Sequence, residues 1–371
     1  MKRIKYFDYN ATHPPIPGLL TKILEEYEED FFNPSGPTRF SLARQGKIEE
    51  SRKVLAKLTG KDPKGFIFTS SGTEADYSLI YFAKQFIKTI AYLSPFEHAA
   101  MYSSFRSLGI PYKVLSADKS GLVSVSELES YLKNEPGPVF VLHAGNETGV
   151  IQPIQELAEV SAKYGMPFYS DLIQSFSKIP VPFSILNGFT FSGHKIGGGL
   201  GSSVVWFDPK HLPEGGVFQG GNQENGHRAG TENSPSILAL AEAAKIQFAE
   251  MENKNERLEY YRNMIESKLK GLGAEIVAEN SPRLFSTTFA LLPLDDLDFF
   301  MMGMEEKGFA VSTGSSCKSR SREAAPSLLA MGYSNDEALR AIRISTGLYT
   351  TEEEVDSLLI ALEETILSIS A

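Results

Sequence analysis

A lysine within residues 191–199, FSGHKIGGG, is the first candidate for chemistry in this sequence. Lys195 follows a strand-like run and precedes three glycines. Most lysines in such surroundings are solvated loop residues. A lysine at a strand end beside phosphate-binding groups can instead form a Schiff base with an aldehyde cofactor. The neighbouring motifs decide between these two interpretations.

Three other loops place polar side chains at predicted strand ends. TSSGTEAD (69–76) leads from a strand directly into a helix, and the free N–H groups and hydroxyls of a helix N-terminus favour phosphate. An ordinary Ser/Thr helix cap explains this segment equally well. In SDLIQS, Asp171 ends a strand and Gln174 follows three residues later, while HAGNETG (143–149) ends another strand.

An acid and a lysine, both at strand ends and near a phosphate site, are what pyridoxal phosphate requires. The acid keeps the pyridine nitrogen protonated, so the ring acts as an electron sink, and the lysine holds the aldehyde. Burial beside a cationic ring lowers the pKa of such a lysine toward neutrality. Lys195 lies 24 residues after Asp171, so these two residues are the predicted pair.

The elements that must position these residues alternate through the first two thirds of the chain. Stretches with helical periodicity separate short apolar runs. This alternation predicts a mostly parallel α/β sheet with helices on both faces, which binds ligands at the carboxyl ends of its strands. The predicted strands are GFIFTS (65–70), TIAYLS (89–94), YKVLS (112–116), PVFVLHA (138–144), PFYSD (167–171), FTFSG (189–193) and SSVVWF (202–207).

The pattern changes after about residue 234. Residues 234–271 open with Ser-Pro, then contain no Pro or Gly until Gly271, which predicts one long helix or two in series. Beyond them, strands and helices form a predicted small α+β domain. The predicted division is a large cofactor-binding α/β domain, 16–255, and a small domain formed by 1–15 and 256–371, which carries the cysteine loop.

Composition limits the classes of partner. The chain has 371 residues and a formal net charge of −10, and no long Lys/Arg cluster indicates direct nucleic-acid binding. A membrane span would need a run of about 18 apolar residues, and an export signal would need an apolar segment after the basic N-terminus. The sequence has neither. We expect a cytoplasmic protein without a membrane partner.

The only cysteine, Cys317, lies in the polar stretch STGSSCKSRSREAAP (312–326). A lone cysteine forms no internal disulfide, and this segment offers no apolar surroundings for a buried thiol. The cationic neighbours Lys318, Arg320 and Arg322 favour the nucleophilic thiolate. The segment therefore predicts a reactive cysteine.

Taken together, the motifs resemble the class V aminotransferase family of pyridoxal-phosphate enzymes of fold type I, and within it the cysteine desulfurases. The resemblance extends over nearly the whole chain, with the motifs in the order of the family. They are YFDYNATHPP, FNPSG, TSSGTEAD, EHAA, NETG, DLIQSFSK, SGHK, GGNQENGHRAGTEN, STGSSC and AIRIST before TTEEEVD.

The resemblance implies how the cofactor, pyridoxal 5'-phosphate, is held. Lys195 would bind it covalently, Asp171 would pair with the pyridine nitrogen, and Gln174 would bond the phenolic oxygen. His98, also a catalytic candidate, would stack on the ring. The remaining implied cofactor contacts, including those to the phosphate, are Gly72, Thr73, Asn146, Ser192 and His194.

The resemblance also implies a homodimer with shared active sites, because Thr231 would reach the phosphate of the neighbouring subunit. Asn146 and Arg343 would bind the substrate carboxylate, for which the planar guanidinium is well suited. The implied reaction converts L-cysteine to L-alanine and leaves the sulfur on Cys317 as a persulfide. That sulfur would serve iron–sulfur cluster, thio-cofactor or tRNA biosynthesis, with a sulfur-acceptor protein as a further partner.

Two alternatives remain at this stage. Another class V enzyme, such as an aminotransferase, a lyase or a selenocysteine lyase, would use Lys195 and Asp171 but not Cys317. A non-catalytic protein of the same fold would bind partners through residues 312–325. The presence of Lys195, Asp171 and His98 together argues against the second alternative.

Overall fold

The structure, a computed structural model, describes residues 4–294, 297–313 and 323–370. Strands and helices alternate through the first half of the chain, as the apolar runs predict. The strands, in chain order, are β1 (Lys5–Tyr6), β2 (Phe66–Thr69), β3 (Ala91–Leu93), β4 (Tyr112–Val114), β5 (Val139–Phe140), β6 (Phe168–Asp171), β7 (Gly188–Ser192), β8 (Ser203–Phe207), β9 (Glu275–Ile276), β10 (Thr287–Leu291), β11 (Phe309–Ala310), β12 (Ser312–Thr313) and β13 (Ala341–Ser345). The helices, in chain order, are α1 (Leu19–Glu29), α2 (Arg39–Thr59), α3 (Gly72–Ala83), α4 (Ala99–Ser107), α5 (Val125–Asn134), α6 (Ile154–Lys163), α7 (Ser234–Ala249), α8 (Met251–Gly271), α9 (Leu297–Glu306), α10 (Pro326–Ala330), α11 (Asn335–Ala338) and α12 (Glu352–Ser370).

One large sheet has the strand order β2-β8-β7-β6-β5-β3-β4. The pairs among β3, β4, β5, β6 and β7 are parallel, whereas β8 is antiparallel to both of its neighbours. Within β2, Phe66 and Phe68 enter one core and Ile67 enters another, because successive side chains of a strand alternate between faces. Helices α2, α5, α6 and α7 cover the first face, and α3 and α4 cover the second. The predicted mostly parallel α/β sheet is confirmed.

A second sheet is antiparallel and has the order β12-β13-β10-β9. Helices α8, α9 and α12 bury side chains against it, among them Leu269, Phe300 and Leu358. Strand β1 pairs in parallel with β11, so the N-terminal residues join this second core. This pairing agrees with a small domain formed by 1–15 and 256–371, but the boundary with 16–255 stays a prediction.

Residues 234–271 form two helices in series, which is one of the two predicted arrangements. Helix α7 ends at Ala249 and α8 begins at Met251. The Asn233 side chain accepts a hydrogen bond from the Ser236 N–H, which satisfies one of the unpaired donors at the start of α7. Helix α7 packs on α1 and α2, and α8 packs on β9 and β10. The two helices therefore connect the two sheets.

Across the described part of the chain, no helix combines the length and the apolar character that crossing a bilayer would need.

Candidate active site

A cavity of about 330 Å³ lies where β6 ends, where the turn after β7 begins and where α3 starts. This is the edge at which a parallel α/β sheet binds ligands. The predicted site residues that line the cavity are Gly72, Thr73, His98, Asn146, Asp171, Gln174, His194, Lys195 and Arg343. The structure therefore brings together most of the site that the motifs predict.

Lys195 lies in a short 3-10 turn, Gly193–Lys195, directly after β7. Its Nζ donates to the main-chain carbonyl oxygens of Asn10 (2.5 Å) and Ala11 (2.8 Å). The amine is half-buried and faces the cavity that Asp171 also lines. The structure thus places the predicted lysine and acid at one site, as pyridoxal phosphate requires.

Asp171 is buried at the end of β6, and its Oδ1 accepts a hydrogen bond from the Ile173 N–H (2.7 Å). Burial raises the pKa of Asp171 to about 6, although the Ile173 N–H and the Lys195 amine act in the opposite direction. Gln174 donates from Nε2 to the Asn10 carbonyl oxygen (2.8 Å) and accepts from Lys178 Nζ (2.8 Å). The side chains of Asp171 and Gln174 are therefore fixed by the protein itself.

His98 is the N-cap of α4, and its Nδ1 accepts a hydrogen bond from the Ala100 N–H (3.2 Å). Burial and the nearby Lys195 amine lower the pKa of His98. The ring is accordingly neutral near pH 7, and because Nδ1 accepts, its proton is on Nε2. The side chain lines the cavity.

The start of α3 lines the cavity, and the first N–H groups of a helix have no partner within the helix. Gly72 and Thr73 are its first two residues, after the N-cap Ser71. A side chain at Gly72 would bring Cβ within 2.7 Å of the end of the Ile173 side chain, so that side chain would have to move to make room for it. His194 lines the same cavity, and burial lowers its pKa to about 4. An anion such as phosphate is favoured at this helix N-terminus.

Ser192 and Thr231 are outside the group of cavity-lining residues. Ser192 is buried at the end of β7, and its Oγ accepts from Ser203 Oγ (2.7 Å). Thr231 is exposed. Their assignment to a phosphate, that of the same subunit for Ser192 and of the neighbouring subunit for Thr231, stays a prediction.

Arg343 lies on β13, is 1% exposed and reaches the same cavity. Its Nη1 donates to the Asn146 carbonyl oxygen (2.8 Å), and its Nη2 donates to Asp8 Oδ1 (2.7 Å). Arg343 and Asn146 are therefore adjacent, as expected of two groups that bind one substrate carboxylate.

The sequence predictions missed Asp8, Asn10 and Ala11, which follow β1. Asn10 and Ala11 hold Lys195 through their carbonyl oxygens, and Asp8 pairs with Arg343. These residues belong to the motif YFDYNATHPP, which carried part of the resemblance, but nothing in that motif shows that the segment enters the cavity. Asp76, another cavity-lining residue, gave no signal because it is one polar residue in a helical run.

Cys317 lies outside the described residues, but the two described ends of its segment both lie beside residues of the site. Ser312 pairs with Arg343 across β12 and β13. Glu323 and Ala324 line a neighbouring cavity of about 300 Å³, which shares His98 and Asn146 with the first. The segment that contains Cys317 therefore starts and ends beside residues of the candidate site.

The residues present fit pyridoxal phosphate. The cavity places a lysine amine, a buried carboxyl group, a helix N-terminus and an imidazole around one volume of about 330 Å³. Each group suits a different part of the cofactor, namely the aldehyde, the ring nitrogen, the phosphate and the ring face.

Comparison with known proteins agrees with this site. The Aminotransferase class-V family model matches residues 5–358, and the chain belongs to this family. It is 32% identical to the cysteine desulfurase IscS of Klebsiella pneumoniae subsp. pneumoniae, over 96% of this chain and 91% of that protein.

Solved structures also resemble this chain, and two of them do so over nearly its whole length. The NifS-like protein of Rickettsia africae has a TM-score of 0.89 and 29% identity, covering 98% of this chain and 99% of that one. SspA, solved in complex with cysteine, has a TM-score of 0.78 and 26% identity, covering 93% of this chain and 99% of that one. The predicted family, the fold and the cofactor, pyridoxal phosphate, are confirmed.

Proposed function

We propose that this protein is a cysteine desulfurase that uses pyridoxal phosphate to convert L-cysteine to L-alanine and transfers the sulfur to Cys317. The observation that carries the proposal is the shared cavity of Lys195, Asp171 and Arg343, with both ends of the Cys317 segment beside it. The similarity to IscS of Klebsiella pneumoniae and to SspA in complex with cysteine supports the same substrate.

When bound, pyridoxal phosphate supplies an electron sink that weakens bonds to the substrate's α-carbon and β-carbon. Asp171, buried at the end of β6, is the group that would keep a proton on the ring nitrogen. The N-terminus of α3, with Gly72 and Thr73, would bind the phosphate. These contacts would orient the cofactor between Lys195 and His98.

Arg343 would bind the carboxylate of L-cysteine. Two of its five N–H groups are used by Asn146 and Asp8, and Nε is buried without a hydrogen-bond partner among the described residues. A carboxylate at this position would satisfy the remaining donors. Arg343 would thereby fix the thiol end of the substrate relative to Lys195.

Lys195 and His98 have different roles toward the substrate. The Lys195 amine would be the base for the α-proton of the substrate, and the Asn10 and Ala11 carbonyl oxygens hold it in place. His98, neutral and with its proton on Nε2, would be a hydrogen-bond donor that faces the same cavity. Both groups are partly shielded from water, which strengthens their interactions with charge.

Cys317 would accept the sulfur. Its thiolate would attack the sulfur of L-cysteine, so that an S–S bond forms and the substrate's Cβ–S bond breaks. The electron pair of that bond stays with carbon, which takes up a proton and becomes the methyl group of alanine. The balance needs no external oxidant, since the oxidised sulfur leaves as the persulfide of Cys317.

The test is turnover of L-cysteine by protein loaded with pyridoxal phosphate, with dithiothreitol to release the sulfur. We expect equal amounts of alanine and sulfide, and the loss of both in Cys317→Ala and Lys195→Ala. Ser315→Ala, two residues from Cys317, is the control that should retain turnover. Turnover that survives Cys317→Ala would instead identify another class V reaction.

We also propose that the protein is a homodimer that delivers sulfur to an acceptor protein, for iron–sulfur clusters, thio-cofactors or tRNA. Exposed apolar side chains support the dimer, since Phe31, Phe40 and Leu42 lie in the chain on either side of Pro34 and Ser35. Pro34 and Ser35 share a cavity with residues 222–225 and Glu232, next to Thr231. The mass in solution, for wild type and Leu42→Glu, tests this proposal. A cytoplasmic location stays a prediction.

A further inference from the structure

Asp76 is a buried acid of the candidate site to which the proposed reaction gives no role. It lies on α3, is 0% exposed and lines the cofactor cavity together with Asp171. Its Oδ1 accepts a hydrogen bond from Thr190 Oγ1 (2.8 Å). Its Oδ2 is buried and has no hydrogen-bond partner among the residues that the structure describes.

Thr190 connects Asp76 to Asp171. It lies on β7 directly opposite Asp171 on β6, and its hydroxyl affects both carboxyl groups. A hydroxyl has one proton to donate, and in the structure that proton goes to Asp76. The buried Asp76 Oδ2 receives no hydrogen bond from Thr190, and any proton on it would need an acceptor.

Asp76, Asp171 and Glu97 are three buried acids, and only one of them is expected to be ionised near pH 7. The titratable groups that act on Asp76 are Asp171 and Glu97, and the Lys195 amine acts on Asp171. Burial, and then the charge of Asp171, raise the pKa of Asp76 well above its usual range. Burial raises the pKa of Glu97 to about 8 and that of Asp171 only to about 6. Asp171 is thus the first of the three acids to ionise.

We propose that Asp76 is a positioning residue that stays protonated and donates a hydrogen bond from Oδ2 to the carboxylate of Asp171. The two acids then carry a single negative charge, held by Thr190 and Asp76 and directed at the ring nitrogen of the cofactor. The inference rests on the proposed pairing of Asp171 with that nitrogen. It extends the site by one residue of α3.

Two substitutions separate the hydrogen bond from the charge. Asp76→Asn keeps an acceptor for Thr190 and a neutral N–H donor for Asp171, so the affinity for pyridoxal phosphate should stay within about threefold of wild type. Asp76→Ala removes the donor to a charged acceptor, and the affinity should fall by roughly 10- to 100-fold. If Asp76 were ionised, both substitutions would remove its charge, and Asp76→Asn would no longer bind pyridoxal phosphate like wild type.

The first experiment reads the protonation state without the cofactor. Infrared difference spectra of the apo-protein near pH 7, wild type minus Asp76→Asn, should show the C=O stretch of a protonated carboxylic acid. The same difference for Asp336→Asn, an exposed aspartate on α11, should show only a carboxylate. A carboxylate signal for Asp76 would overturn the proposal.

The second experiment measures the dissociation constant of pyridoxal phosphate for wild type, Asp76→Asn, Asp76→Ala and Thr190→Val. Binding by Asp76→Ala as tight as that of wild type would also overturn the proposal. If Asp76→Ala fails to fold, Thr190→Val and the infrared result decide, since Thr190→Val leaves Asp76 in place and should weaken binding. Failure of the proposed function is distinguishable, because wild type would then form no alanine from L-cysteine while the infrared band remains readable.

Discussion

At the level of single residues, Arg343 has the most sharply defined surroundings. It is held by a main-chain oxygen of Asn146 and by the Asp8 carboxylate, at 2.8 and 2.7 Å. The guanidinium therefore does not need to reorganise to receive a substrate carboxylate. Preorganisation of this kind reduces the entropy cost of binding.

Arg343→Lys should raise KM for L-cysteine more than it lowers kcat. Lysine lacks the planar fork and cannot serve Asn146, Asp8 and a carboxylate together. The loss of one charged hydrogen bond, about 1.5–3 kcal/mol, corresponds to a roughly 10- to 100-fold higher KM. Steady-state kinetics of alanine formation measure KM and kcat of the variant, with Arg340→Lys as the control outside the cavity. An unchanged KM would remove Arg343 from the substrate site.

At the level of elements, a buried ion pair joins α2 to β2 and to the turn at Gln223–Gly226. Arg52 on α2 donates through Nη1 and Nη2 to the two carboxylate oxygens of Glu224, each at 3.0 Å. Glu224 also accepts from the Phe68 N–H (2.8 Å), and Arg52 donates to the Phe66 carbonyl oxygen. Both side chains are buried. The pair therefore fixes the turn that precedes Thr231.

Glu224→Gln should lower the free energy of unfolding by up to about 3–5 kcal/mol, because it leaves the buried Arg52 with only the more exposed Glu49 carboxylate as counter-charge. Urea unfolding followed by the fluorescence of Trp206, the only tryptophan, measures the change. Glu50→Gln is the matched control, since Glu50 pairs with Lys53 on the exposed side of the same helix. That substitution should cost less than about 1 kcal/mol. Equal effects of the two substitutions would contradict this account.

The elements themselves were largely predictable, whereas their long-range contacts were not. The apolar runs predicted β2, β7 and β8 within one or two residues, because buried strands have few alternatives. The direction of β8, antiparallel to its neighbours, depends on the path of the chain after residue 193 and has no local signal. The route of residues 8–13 through the site is equally invisible, since Asn10 and Ala11 meet a lysine 184 or more positions away.

In the site, too, residues that belong to the elements were predictable, whereas roles that depend on long-range contacts were not. Lys195, Asp171 and Arg343 lie at strand ends or within a strand, so the sheet brings them together once its topology is known. Asp76 could not be predicted, because its role depends on burial against Thr190 rather than on spacing. For Thr231 and Cys317, the predicted roles come from the resemblance alone and await measurement.

At the level of the whole molecule, buried acids near the site make stability depend on pH. Glu97 is buried, and its Oε1 accepts from Ser94 Oγ (2.7 Å) and from the Leu142 N–H (2.6 Å). Burial raises its pKa from 4.5 to about 8. Between these values the folded protein keeps a proton that the unfolded chain releases, so this contribution to stability is complete below pH 4.5 and is lost as pH rises toward 8.

Glu97→Gln should therefore be more stable than wild type by an amount that grows with pH. The amide keeps the acceptor for Ser94 and Leu142 but cannot ionise, and the span from 4.5 to about 8 sets an upper limit of about 5 kcal/mol. Urea unfolding at about pH 5 and about pH 8 measures the difference in free energy of unfolding between Glu97→Gln and wild type. Glu25→Gln, on the exposed face of α1, should show the same difference from wild type at both values. A difference for Glu97→Gln that shrinks with rising pH would show that Glu97 is ionised in the folded protein.

The central claim is that Cys317 takes the sulfur of L-cysteine in a site built around Lys195. The most direct measurement is a single turnover with enzyme in excess over L-cysteine and no reductant, followed by mass spectrometry of the Cys317 peptide and assay of alanine. We expect one sulfur atom added to Cys317 for each alanine formed. Alanine, pyruvate or sulfide produced while Cys317 stays unmodified would contradict the claim.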